Sequence, residues 1–173
     1  VFFCGGDCAE DTSLNLKYGL RNNPFVKLPS PDRILARLKE LSKPGLSKTI
    51  PRRNKTHHFS INLPLNNINQ QLFKKLSKNS KNEHILDYDN TLLFSNKADA
   101  VKTYKKGYGY NPGVGIIGKN IVYVENRNGN SNAEAMQKDT LERMFNLLRS
   151  NNINIKAFRA DGASYSLSAI NEI

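Results

Sequence analysis

His84-Ile-Leu-Asp-Tyr-Asp-Asn-Thr-Leu-Leu-Phe94 is an apolar run interrupted by two carboxylates, and its reading decides how the rest of the chain is understood. A short apolar run of this length reads as a buried strand. Burying charge in it is costly unless the acids have a task. Asp87 and Asp89 are two residues apart, so on a strand both side chains leave the same face. This admits two chemistries. In one, an aspartate attacks a phosphoryl group while its neighbour serves as acid or base. In the other, carboxylates from neighbouring strands hold divalent cations for transfer at a phosphodiester.

Downstream, Gly113 to Ile117 and Asn120 to Glu125 read as an antiparallel hairpin about Gly118-Lys119. A loop rich in turn residues follows over Asn126 to Asn132. A helix is expected from about Ala133 to Ser150, with Met136, Leu141, Met144, Phe145 and Leu148 forming its apolar face. Ile153 to Ala160 reads as a strand ending at Asp161-Gly162, and a further helix is expected over Tyr165 to Ile173. The order is therefore strand, strand, strand, helix, strand, helix. Asp89 stands on the first strand and Asp161 just past the fourth. If those two strands are neighbours, the carboxylates meet at one edge of the sheet.

Upstream, the sequence reads as helical. Ala9 to Leu20 carries scattered apolar residues, and Ser30-Pro31-Asp32 opens a second helix with a cap residue, a proline at the first position and an early acid. Ile34, Leu35, Leu38 and Leu41 follow at helical spacing, and Pro44-Gly45 ends the run. Lys43 to Lys55 reads as a basic connection, Phe59 to Leu63 as briefly extended and Asn69 to Lys78 as helical. A polar break over residues 77–82 sets an expected boundary near residue 80. This divides a mostly helical, basic segment over 1–80, a candidate for DNA binding, from an α/β domain over 81–173. No internal repeat is present.

The 26 Lys and Arg against 15 Asp and Glu give a net charge of +11, spread along the chain. A polyanionic partner fits this surplus, as does a merely Lys- and Asn-rich composition. No run of about 18 apolar residues occurs and no signal peptide is visible, which predicts a cytoplasmic protein. Cys4 and Cys8 with His57-His58 match no strong zinc spacing, so the reading is two buried thiols and two loop histidines. The chain opens at Val1 and stops inside its last expected helix, and it reads as a fragment.

Ile85 to Leu93 resembles the Asp-x-Asp-x-Thr motif of haloacid dehalogenase-like phosphatases, which implies Asp87 as nucleophile and Asp89 as acid/base. That family also requires a Ser or Thr, a Lys and a second acidic cluster, and here only Asp161 stands where the cluster belongs. More than 80 residues precede the motif, whereas in that family it lies near the amino end.

A second resemblance rests on more points. Asp89-Asn-Thr91 and Arg159-Ala-Asp161-Gly162 resemble the segments carrying the first two acids of bacterial insertion-sequence transposases. Gly109-Tyr-Asn-Pro112 and Arg127-Asn-Gly-Asn130 resemble motifs of the family called transposase DDE domain group one. Gly5-Gly-Asp7 with Glu10-Asp11, and Leu28-Pro-Ser30 before Arg33 to Leu38, resemble its leading region.

The resemblance implies an α/β, RNase H-like mixed sheet with flanking helices. Asp89 and Asp161 would hold Mg²⁺, or Mn²⁺ in its place. DNA would be the partner, both the element's ends and the target, with two subunits paired on it and no membrane. The family's third acid is a glutamate beyond a later insertion or helix. Glu172 is too close to Asp161 to be that residue, so the chain is expected not to complete transposition alone. A non-catalytic DNA-binding remnant remains an alternative.

Further candidates surround the acids. Lys97, Lys102, Lys105 and Lys106, interleaved with Tyr104, Tyr108 and Tyr110, fit either phosphate and base contacts or a solvated loop. Arg127 and Asn130 fit DNA positioning or a turn and helix cap. Arg159, two residues before Asp161, fits a DNA contact, balance of the metal ligand's charge, or a structural ion pair. Asp87 ranks behind Asp89 as an accessory acid.

Overall fold

The computed structural model describes residues 9–17, 28–41, 46–52, 55–77 and 83–165. The chain divides into two compact units, residues 1–43 and 44–173. The first holds a short helical stretch over Thr12–Leu16 and helix α1 over Pro31–Leu41. Ser30 caps α1, its Oγ accepting from the Arg33 amide at 3.3 Å, as the Ser-Pro-Asp start predicts. Cys4, Cys8 and the expected helix over 166–173 lie outside the described residues.

The second unit is built on a six-stranded sheet. Its strands are β1 (Leu46–Arg52), β2 (Lys55–Ile61), β3 (His84–Asn90), β7 (Gly113–Ile117), β8 (Asn120–Arg127) and β9 (Ile155–Ala160), in the order β1-β2-β8-β7-β3-β9. A small separate sheet, β4 (Leu93–Phe94), β6 (Tyr108–Tyr110) and β5 (Val101–Lys102), is inserted between β3 and β7. Helices α2 (Leu63–Leu76) and α3 (Gln137–Ser150) complete the unit. Strands β3, β7 and β8 form an antiparallel meander. The chain then passes through α3, and β9 returns beside β3, parallel to it. This is the RNase H-like arrangement of a mixed sheet with flanking helices.

The expected boundary near residue 80 is displaced. Residues 46–76 belong to the same compact unit as the sheet: β2 pairs with β8, and α2 packs against β8. The stretch read as a basic connection over 43–55 contains β1 and the start of β2. Lysines and Pro51 obscured a strand that sits at the sheet edge, where charge and proline are tolerated. His57 and His58 lie on β2 rather than in a loop, and buried His57 shares a 2.9 Å hydrogen bond with Ser131.

Alternation along the strands sorts the residues between two faces. Leu86, Tyr88 and, where a register shift against β7 breaks the alternation of β8, both Val122 and Tyr123 are buried with Leu141, Met144, Phe145 and Leu148 of α3, the apolar stripe expected from spacing. Met136 drops out of that stripe: with a φ of 57° it precedes the first turn of α3. Gly115 lets the helix approach, because a Cβ there would lie 3.0 Å from Met144 Sδ and 3.1 Å from Tyr123 Cβ. Gly118 takes the left-handed turn of the β7–β8 hairpin at φ 61°.

At the far side of the meander, α2 does work usually done by a strand. β2 pairs with β8 only over Phe59 to Ile61. Beyond that, Asn66 accepts from the Val124 amide at 2.7 Å and donates to its carbonyl at 2.9 Å, while Gln70 donates to the Val122 carbonyl at 2.9 Å. These amides satisfy backbone groups that would otherwise be buried unpaired. Among the described residues no helix is long and apolar enough to cross a membrane.

Candidate functional site

The register of β3 with β9 fixes the acids. Asp87 pairs with Arg159 and Tyr88 with Ala160, so Asp89 and Asp161 are the next residues at the carboxyl ends of two adjacent parallel strands. Neighbouring strands lie about 4.8 Å apart. Alternation puts Asp87, Asp89, Arg159 and Asp161 on the face opposite the Leu86–Tyr88 core, and Asp89 and Asp161 are both exposed.

Each of the two carboxylates is partly oriented by the chain around it. Asp89 Oδ1 accepts from the Asn90 amide at 2.7 Å. Asp161 Oδ1 accepts from the amide and the hydroxyl of Ser164, both at 3.1 Å, and so caps a short 3-10 turn over Gly162–Ser164. All three bonds are made to Oδ1 of their carboxylate. Asp87 differs. Arg159 grips it bidentately, Nε to Oδ1 at 2.6 Å and Nη2 to Oδ2 at 2.8 Å. The Arg159 hydrogen bonds hold the Asp87 carboxyl below its ordinary range. Arg159, read as a DNA contact, a balance for the metal ligand's charge or a structural ion pair, makes an ion pair here, and its partner is Asp87.

Among the described residues no group of three His, Cys, Asp or Glu comes together. A pair of carboxylates is nonetheless a donor set that Mg²⁺ accepts, since it commonly keeps waters and substrate phosphates as its other ligands. Asp89 and Asp161 fit that requirement.

The other candidates fall into two places. Lys97, Lys105 and Lys106 are exposed in the excursion between β3 and β7. Tyr110 is half-buried there, its hydroxyl donating to Asp99 at 2.6 Å. Arg127 and Asn130 stand at the end of β8 and in the turn after it. Arg127 is fully buried, its guanidinium donating to the Ala135 carbonyl and lying 5.0 Å from the Phe59 ring centroid. From that buried position it holds the loop before α3, the turn-stabilising alternative to its reading as a DNA contact. Asn130 is half-buried in the same turn.

Sequence reasoning missed Glu125. It is fully buried on β8 and accepts from Tyr123 Oη at 2.8 Å, Thr140 Oγ1 at 2.9 Å and Arg143 at 2.9 to 3.1 Å. Burial, with the adjacent Glu125 charge, pushes the Tyr123 phenol far up. The signal in the sequence was an acid at an inward position of an alternating strand, two residues after a core tyrosine. Its oxygens are spent on tying β8 to α3, so this cluster is structural.

No family model matches the chain, and no curated protein matches it. Among solved structures, a chain of the Mos1 transposase paired-end complex with left transposon end is similar at 12% identity and a TM-score of 0.41, over 97% of this chain and 52% of that one. The chain thus spans about half the length of that transposase chain.

Proposed function

We propose that this chain carries the first two acids of a DDE-type transposase, related to the bacterial insertion-sequence enzymes, whose complete activity is metal-dependent DNA cleavage and strand transfer. The observation that carries this reading is the parallel register that sets Asp89 beside Asp161 at the open carboxyl ends of β3 and β9. A Mg²⁺ or Mn²⁺ ion held there would polarise a scissile phosphodiester and favour the deprotonated attacking water or 3′-hydroxyl.

The chain's own contribution is positional. Asn90 and Ser164 fix one oxygen of each carboxylate. Arg159 neutralises Asp87, so the extra acid on this face neither repels DNA nor competes for cation. The net charge of +11 suits a polyanionic partner. Pairing of two subunits on DNA and a cytoplasmic location belong to the same proposal.

Paramagnetic broadening of the chain's NMR signals by Mn²⁺ tests it. Broadening centred on Asp89 and Asp161, lost in Asp89→Asn and in Asp161→Asn but kept in Asp87→Asn, is the expected result. Broadening that is diffuse, or centred on Asp87, overturns it.

A further inference from the structure

The excursion between β3 and β7 is a structured ribbon. After Asn90 pairs with Gly113, the Thr91 amide donates to the Pro112 carbonyl, Leu93 pairs with Tyr110 and Phe94 with Gly109. The paired strands β3 and β7 thus run on, past a short interruption, into β4 and β6, and β5 adds along the other side of β6. Leu93 lies four residues beyond Asp89, about 13 Å of extended chain.

The pairing sorts the ribbon's side chains. Residues directly opposite share a face, as do residues two apart. Leu93, Tyr110, Tyr108 and Lys102 therefore stand on one face, and Phe94, Gly109 and Val101 on the other. Part of the second face is packed close: a Cβ on Gly107 would meet the Phe94 ring at 2.7 Å, and the Gly129 amide donates to the Gly109 carbonyl. Apolar side chains are nonetheless exposed on both faces: Tyr108 is 59% and Leu93 52% exposed on the first, Phe94 61% on the second, and Tyr104 at the turn 73%.

An apolar patch of this kind on an otherwise charged chain calls for a partner, and its surroundings specify the chemistry. Between residues 91 and 112 stand four lysines, Lys97, Lys102, Lys105 and Lys106, all exposed, against one acid, Asp99. Lys105 lies 5.8 Å from the Tyr104 ring centroid. Asp99 is occupied in fixing Tyr110, whose phenol its hydrogen bond pushes up to about 12. Exposed rings among lysines suit a strand that offers phosphates and unstacked bases together. A duplex offers phosphates and no free base faces.

We infer that the β4-β6-β5 ribbon binds unpaired nucleotides of a DNA strand, stacking bases on Tyr108 and Tyr104 while the lysines contact phosphates. This deepens the reading of the chain as a DNA-transfer protein and rests on it for the identity of the strand. At a DNA end opened for cleavage, the ribbon would hold separated nucleotides close to Asp89.

Fluorescence anisotropy of the full chain with a single-stranded DNA oligonucleotide, and with a blunt duplex of the same sequence, tests this. Tyr104→Ala with Tyr108→Ala should weaken single-strand binding at least about tenfold and leave duplex binding unchanged, while Tyr108→Phe keeps wild-type affinity. Lys102→Ala should weaken both and lower the salt dependence by about one ion. Equal loss for single strand and duplex in the tyrosine variant, no loss for either, or tighter binding of the matching RNA strand overturns the proposal. Mn²⁺ binding at Asp89 and Asp161 is a separate readout that the tyrosine changes should not move. Failure of the ribbon and failure of the metal site are therefore told apart.

Discussion

Asp87 on β3 and Arg159 on β9 face one another across the parallel pair, joined by two hydrogen bonds of 2.6 and 2.8 Å. Two residues further along the same strands, the equivalent positions are Asp89 and Asp161. The sheet therefore places an acid–base pair and an acid–acid pair in consecutive rows on one face. The first row is self-neutralised. The second carries no basic partner across the pair.

That contrast predicts unequal effects of the same substitution. Changes to residues that merely support metal ligands typically cost 10- to 100-fold in metal affinity, so Asp89→Asn and Asp161→Asn should each lower Mn²⁺ affinity by about 100-fold or more. Asp87→Asn should lower it by less than about tenfold. Calorimetric titration with Mn²⁺ provides the comparison, and the reverse ranking would favour Asp87 as the functional acid.

The Asp87–Arg159 pair should also leave a mark on acid stability. Its folded carboxyl titrates below the ordinary value of 3.8, so the stabilisation is present above about pH 4 and is lost as pH falls through the lowered value. Both side chains are partly exposed, so the effect is small. Urea midpoints of wild type and Asp87→Asn should differ at neutral pH and converge in acid. A difference that persists at the lowest pH would count against the pair.

Removing Glu125 should be much more damaging. The substitution Glu125→Ala leaves Arg143, Thr140 and Tyr123 Oη without their shared acceptor, and breaking a buried ion pair in this way costs about 3–5 kcal/mol. Equilibrium urea denaturation measures it. A loss under ~1 kcal/mol would mean water replaces the carboxylate.

Tyr110 offers a spectroscopic check on the ribbon. Its phenol is held at about 12 by the hydrogen bond to Asp99, against an ordinary value near 10. In Asp99→Ala one tyrosine should return towards the ordinary range, read by ultraviolet difference titration. An unchanged curve would show that the bond does not persist in solution.

The parts of this architecture that could be read from sequence are those where one physical signal dominates. The β7–β8 hairpin follows from alternation around Gly118, and α3 from the spacing of Leu141, Met144, Phe145 and Leu148. The adjacency of Asp89 and Asp161 followed only conditionally, because pairing of strands more than sixty residues apart is a tertiary property. β1 was hidden by its edge position, where lysines and a proline imitate a loop. The strands of the ribbon are two or three residues long, too short to show a period. Arg127 stood in a motif-like loop, and nothing local distinguishes a buried guanidinium from one that meets a phosphate. Glu125 was legible in principle, as an acid on the inward side of a strand.

The amides of Asn66 and Gln70 that close the side of β8 bear on how the molecule opens. Because they occupy Val124 and Val122, the edge strand β1 can fray away without baring those positions to solvent. Exchange of the Val124 amide with deuterium should then be governed by detachment of α2, and should be slower than exchange along β1. Phe59 and Ile61, buried at the end of β2, keep that strand with the meander, so β1 is the outermost layer to open.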